Sequence, residues 1–232
     1  MKHKIYRIVC TALCCAPLLA TAQTGGKITS PQRLYEEGES LFRQKAFAAA
    51  MPPLQAFIKQ TDAEGAPVSA AGNKEEAEYM LVCAEYELRN PNSIELLREY
   101  LDTYPDTPHA NRICAFIASA YFFEGKYDDA LAMFNSSRLD LLSNEERDDM
   151  TYRLATCYLK TGNVKEAAIW FETLRSTGSR YTADCTYYLA YIRYSQQRYD
   201  DALSGFLSLQ DNAKYEALVP YYIAEIYLIK KN

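Results

Sequence analysis

From about Leu34 to the last residue, small and apolar positions fall into columns that recur roughly every 34 residues, rather than into one amphipathic run. Ala118, Ala155, Ala190 and Ala224 form one column, at spacings of 37, 35 and 34 residues. Ile117, Leu154, Leu189 and Ile223 stand one before it; Tyr121, Tyr158 and Tyr227 stand three after, with Arg193 as the exception. Further on lie an apolar column (Tyr127, Val164, Tyr199), a second small column (Ala130, Ala167, Ala202) and a phenylalanine column (Phe134, Phe171, Phe206). Each period predicts two helices joined by a tight turn. Small residues let the pair approach closely, and the large ones fill the flanking grooves. Gly125 and Gly162 fall at the turn; Gln197 replaces them in the next copy, whose turn is expected to use another conformation.

These columns resemble the tetratricopeptide repeat. Gly38, Phe47, Ala50 and Leu54 form a first copy, and in the second Cys83 or Ala84 takes the small position, with the loop before Leu97 shortened by about two residues. The resemblance implies an all-α, right-handed superhelical solenoid of antiparallel helix pairs, with about five and a half repeats over residues 31–232. A single pair cannot bury its apolar face, so neighbouring repeats complete each other's core. Tyr104-Pro105-Asp106-Thr107-Pro108-His109-Ala110, which closes repeat two, is similar in phrasing to modules of bacterial envelope proteins.

Three stretches depart from the period. Residues 60–74, with Asp62, Gly65, Pro67, Gly72 and a run of small residues, read as a loop insertion between repeats one and two. Pro52 and Pro53 fall where a second helix is due, so that helix is expected to start near Met51 or to kink. Val219–Lys230 reads as a first helix with no second one, leaving Ile223, Ile226 and Tyr227 without partners. That end predicts either an N-terminal piece of a longer repeat protein or docking on another chain, including self-association.

The N-terminus reads as an address. Lys2, Lys4 and Arg7 precede an apolar run from Ile8 to about Leu19, and Ala20-Thr21-Ala22 supplies a cleavage site before Gln23. Residues 1–22 are thus expected to be a signal peptide and 23–30 a flexible lead-in, with the product exported, periplasmic or outer-membrane-associated. The run is short and broken by Pro17, so no integral membrane segment is expected in the mature chain. Cleavage changes the net charge from −5 to 22 positive against 30 negative groups, leaving no overall basic field for nucleic acid. It leaves His109 as the one histidine and Cys83, Cys114, Cys157 and Cys185 as the cysteines, each in a helical apolar pattern where cysteine acts as a small hydrophobe.

Candidate chemistry is sparse. The sequence carries no phosphate-binding glycine loop, Cys-x-x-Cys or His-Glu-x-x-His motif. The pairs Asp128-Asp129 and Asp200-Asp201 open second helices, where the helix dipole favours negative charge, and their recurrence marks them as structural. His109 reads as a solvated cap. No catalytic, metal or cofactor residues are therefore assigned, and the chain reads as a non-enzyme. What remains is surface, and 20 tyrosines against one tryptophan.

In the family, first helices line the concave face. That stripe falls on Phe122 and Phe123; Tyr152, Thr156 and Lys160; Tyr187, Tyr191 and Tyr194; Tyr221 and Glu225. Tyr152, Tyr187 and Tyr221 are expected to form a ladder along the groove, while Tyr121, Tyr127, Tyr158, Tyr199 and Tyr227 pack internally. The preferred expectation is an envelope scaffold that binds a protein or extended peptide. The alternatives are a carbohydrate-binding module that uses the aromatic groove, since sugar rings stack on aromatic platforms, and the regulatory part of a larger enzyme.

Overall fold

The computed structural model describes residues 30–62 and 73–231. The expected signal peptide, most of the lead-in and most of the insertion lie outside the described residues. The rest is helical: α1 (Pro31–Arg43), α2 (Phe47–Thr61), α3 (Lys74–Glu87), α4 (Ser93–Thr103), α5 (Ala110–Phe123), α6 (Tyr127–Asn135), α7 (Asn144–Lys160), α8 (Val164–Ser176), α9 (Thr182–Ser195), α10 (Tyr199–Leu207) and α11 (Val219–Lys231). Odd- and even-numbered helices pair in sequence, and each pair stacks on the next, which makes a solenoid of five hairpins and one further helix.

The five turns are one structure repeated. Lys45, Arg89, Gly125, Gly162 and Gln197 all have positive φ, between 57° and 83°. In each, the N–H of that residue donates three residues back and the following N–H donates to the carbonyl five residues before it. At Gln197 these are bonds to Tyr194 O and from Arg198 N to Arg193 O, both 2.9 Å. This double bond closes a Schellman end, which requires a left-handed residue. The expectation of a different turn at Gln197 is therefore wrong: the conformation is kept and the strain is accepted.

The shared turn also corrects repeat two. Counting back seven residues from each turn gives Gly38, Ala118, Ala155 and Ala190, but Val82 in repeat two, so neither Cys83 nor Ala84 holds the small position. There the second helix starts at Ser93, four residues past the turn instead of two. Yet buried Leu97 stands eight residues past the turn, where Leu54, Phe134, Phe171 and Phe206 stand nine past theirs, so the stretch before Leu97 is shortened, by one residue.

Close approach explains the small column. A Cβ on Gly38 would sit 2.6 Å from the Leu54 side chain, and one on Gly205 would sit 2.8 Å from the Ala190 Cβ. Pro52 and Pro53 lie inside α2, which starts at Phe47, not Met51. Each proline removes an intrahelical bond, at a cost on the order of 3 kcal/mol. Burial of Ala50, Leu54 and Phe57, all fully inaccessible, offsets it.

The longer step between repeats three and four is filled by a 3-10 turn, Leu139–Leu141, which buries Leu139 and Leu142. Asn111 holds it by donating to Arg138 O at 2.8 Å. At the C-terminal end, Ile226 is fully buried and Ile223 packs on the last core cluster, so only part of the expected unpartnered face exists. Tyr227, expected to pack internally, is 53% exposed.

Candidate partner-binding surface

Junctions between repeats consume much of the aromatic surface. Tyr152 on α7 stacks on Tyr181, in the link before α9, with ring centroids 4.4 Å apart and planes 11° apart. One repeat later Tyr187 stacks on Tyr215 in the same way, at 4.7 Å and 14°. A carboxylate locks each stack. Asp149 accepts from the Tyr181 hydroxyl at 3.1 Å and from Arg180 at 2.5 Å. Asp184, buried, accepts from the Tyr215 hydroxyl and from Lys214 Nζ at 2.5 Å. Asp149 and Asp184 are 35 residues apart, and Tyr181 and Tyr215 are 34 apart, so this staple is itself a repeat feature.

An earlier junction uses a variant. His109 stacks on Tyr79 at 3.6 Å and 8°, and its Nε2 lies 2.7 Å from Glu76 Oε2. His109 is thus a half-buried junction residue rather than a solvated cap. Next to it a cavity of about 610 Å³ is lined by Phe42, Phe47, Tyr79, Glu87, His109 and Arg112 among others. Arg112 donates to the Tyr79 hydroxyl at 2.7 Å and to Glu146 at 2.8 Å, which ties α5 to α3 and α7. Burial raises the Glu87 pKa, and Arg112 opposes that shift.

This geometry sorts the predicted stripe. Tyr152 and Tyr187 are half-buried and committed to their staples, so the expected ladder with Tyr221 does not form. Burial raises the pKa of both phenols. Thr156 is buried, with its hydroxyl donated to Tyr152 O at 2.8 Å, and offers no surface contact. Phe122 is half-buried against the core and Tyr127. Phe123 is 65% exposed, with the Arg153 guanidinium 4.9 Å above its ring. Lys160 is exposed at the end of α7.

The C-terminal part of the stripe stays together. Tyr191 and Tyr194 on α9 meet Tyr222 on α11 edge to face, at 6.2 and 5.4 Å. Glu225 is exposed beside them, and its interaction with Tyr194 pushes that phenol up to about 12. Tyr221 is 74% exposed. Tyr222 was absent from the predicted stripe because it belongs to packing: it lies flat on Phe206 at 4.8 Å. The equivalent Tyr188, one repeat earlier, lies on Phe171 at 5.0 Å. The 34-residue spacing of Tyr188 and Tyr222 was the signal available in the sequence.

Cys83, Cys157 and Cys185 are buried on α3, α7 and α9, none of them bonded to another cysteine, and burial pushes each thiol up to about 12. Among the described residues, no group of three or more His, Cys, Asp or Glu side chains is placed to hold a metal. No described helix is long and apolar enough to cross a membrane.

Paired helices, left-handed turns and stacked junctions define a helical-repeat solenoid. The tetratricopeptide repeat family model matches residues 117–183, and the chain is built on that fold. Structures of MamA from strain AMB-1 are similar: one is 18% identical, with a TM-score of 0.57 over 79% of this chain and 92% of its own. The C-terminal part of a tetratricopeptide-repeat protein from Cytophaga hutchinsonii is 15% identical, with a TM-score of 0.55 over 89% and 79% of the two chains. Pseudomonas aeruginosa pilF is 15% identical, with a TM-score of 0.54 over 87% and 90%. At these identities the likeness concerns the fold. No match was found among curated protein sequences.

Proposed function

We propose that this chain is a non-enzymatic protein-interaction scaffold of the bacterial cell envelope, which holds a protein or peptide segment against its first-helix surface. The observation that carries this reading is the tyrosine cluster left over once the staples are accounted for. Tyr191 and Tyr194 stand with Tyr222 and Glu225 across the α9–α11 junction, with Tyr221 exposed on the same helix. Tyrosine supplies a large contact area and a hydroxyl with few rotors to freeze, which suits an anchor. Phe123, under Arg153, offers a second aromatic contact further along the stripe. The signal-like N-terminus supports export.

The test is site-specific photo-crosslinking in cells, with the probe at Tyr191 or Tyr221 and a control probe at exposed Ser204 on α10. A discrete protein adduct from the first two positions and none from the control is expected. Combined replacement of Tyr191, Tyr194 and Tyr221 by alanine should then weaken the captured partner at least about tenfold, about 1.4 kcal/mol. Adducts that are equal from Ser204, or glycan binding with no protein adduct, would overturn the proposal.

A further inference from the structure

The opposite side of the same repeats holds a second surface. A groove of about 840 Å³ runs between α8 and α9. Lys165, Ala168, Ile169, Glu172, Thr173 and Ser176 line it from α8, at spacings that place them on one helix face. Leu189, Ile192, Arg193 and Gln196 line it from α9, and Arg198 closes one end. From Lys165 to Ser176 the groove is about 17 Å long, roughly three helical turns. Its floor is apolar: Leu189 and Ile192 are buried beneath it, and Ile169 stands 57% exposed in it, although a branched apolar side chain gains nothing from water.

Charge is arranged along this groove with a direction. Consecutive helices run antiparallel, so the start of α8 and the end of α9 share one end. Lys165, Arg193 and Arg198 all gather there, with the hydroxyls of Thr173 and Ser176 at the other. Arg198 is neutralised by Asp201 at 2.5 Å and Glu172 by Arg175. Neither Lys165 nor Arg193 makes an ion pair among the described residues. Two uncompensated cations beside an exposed apolar floor, on a chain that is otherwise acidic, select an anionic and amphipathic occupant. A groove between helices accepts a third helix by ridge-into-groove packing. We infer that the α8–α9 groove docks an acidic amphipathic helix of a protein partner, its apolar stripe on Ile169 and its carboxylates at Lys165 and Arg193.

The probe is a fluorescein-labelled 14-residue peptide, with leucine at helical i, i+3, i+4 and i+7 positions and glutamate on the flanks, titrated into the whole chain by fluorescence anisotropy. Two controls accompany it: the same peptide with lysine for glutamate, and a scrambled sequence. Saturable binding of the acidic peptide alone is expected. The exposed change Ile169→Asp should weaken it at least tenfold. The double change Lys165→Glu with Arg193→Glu should transfer preference to the lysine peptide, with the helical circular-dichroism signal intact. Tyr191→Ala with Tyr194→Ala should leave it unchanged, which separates this groove from the tyrosine surface. Equal binding of the scrambled peptide, indifference to charge reversal, or binding only of phosphatidylglycerol vesicles would each overturn the inference.

Discussion

Five turns of one geometry, two built on glycine and three on larger residues, make a measurable set. At Gly125 and Gly162 φ is +74° and +83°, and a Cβ added at either would meet no atom within 4 Å. Alanine there introduces no clash, so its cost is backbone strain of about 1–2 kcal/mol for a left-handed non-glycine residue, less about 0.5–1 kcal/mol for the freedom the unfolded chain loses with glycine. The converse applies at Lys45, Arg89 and Gln197, which already bear that strain at φ of 58°, 57° and 61°. Glycine at any of them should relieve it, less about 0.5–1 kcal/mol for the extra freedom glycine gives the unfolded chain. The net gain is up to about 1.5 kcal/mol per site. At Lys45 the exposed contact to Glu145, 3.3 Å long, is lost too, and such pairs contribute little. The three sites lie in separate turns, so the effects should add. Urea denaturation followed by far-UV circular dichroism reads the series, with midpoints rising for the glycine variants and falling for Gly125→Ala and Gly162→Ala. Because repeat arrays need not unfold in one step, midpoints of each phase are compared rather than one fitted free energy. If Gln197→Gly and Gly162→Ala both destabilise, the common-turn explanation is wrong.

Other junctions give further tests. Gly38→Val places side-chain atoms where Leu54 already sits at 2.6 Å, and should cost about 1–3 kcal/mol, read as a lowered urea midpoint. Asp184→Ala leaves the Tyr215 hydroxyl and Lys214 without their shared acceptor and should loosen α11, seen as faster amide exchange confined to residues 219–231. The buried thiols of Cys83, Cys157 and Cys185 keep their protons up to about pH 12 in the folded chain, against a usual value of 9. The folded state therefore binds more protons above pH 9, and stability falls as pH rises through 9 toward 12. Thiol labelling at pH 8 should modify half-buried Cys114 first and the other three only on unfolding. Expression of the whole gene in a bacterial host, followed by N-terminal sequencing of the exported product, should give Gln23 as the first residue; retention of Met1 would refute the signal reading.

The helix pairing, the hairpin turns and the phenylalanine column were legible because each is a chemical constraint that recurs at one period. What sequence columns miss is substitution that preserves conformation while changing residue type. Gln197 and Arg89 occupy a glycine position, so a rule based on glycine fails at one and misplaces the small column by a residue or two at the other. The α2 prolines mislead for a related reason: local propensity argues for a later start, and burial of Leu54 and Phe57 outweighs it.

The tyrosines show where a surface prediction needs depth as well as periodicity. Helical spacing correctly places Tyr152, Tyr187 and Tyr191 on first helices, but it says nothing about what the next link lays over them. Tyr181 and Tyr215 are those overlays, and the carboxylates that fix them, Asp149 and Asp184, lie on the same helices as the tyrosines they help to cover. A recurring tyrosine with a recurring acid three residues before it is thus a junction, since both members of the pair must repeat for the staple to repeat. Tyr191 sits outside that arrangement: its counterpart one repeat earlier is Thr156, which turns its hydroxyl onto its own helix backbone. Tyr221 keeps the column of Tyr187 but has no following link over it among the described residues, and it is exposed. Departure from the period at Tyr191, and exposure despite conformity to it at Tyr221, therefore separate candidate recognition residues from packing in this solenoid.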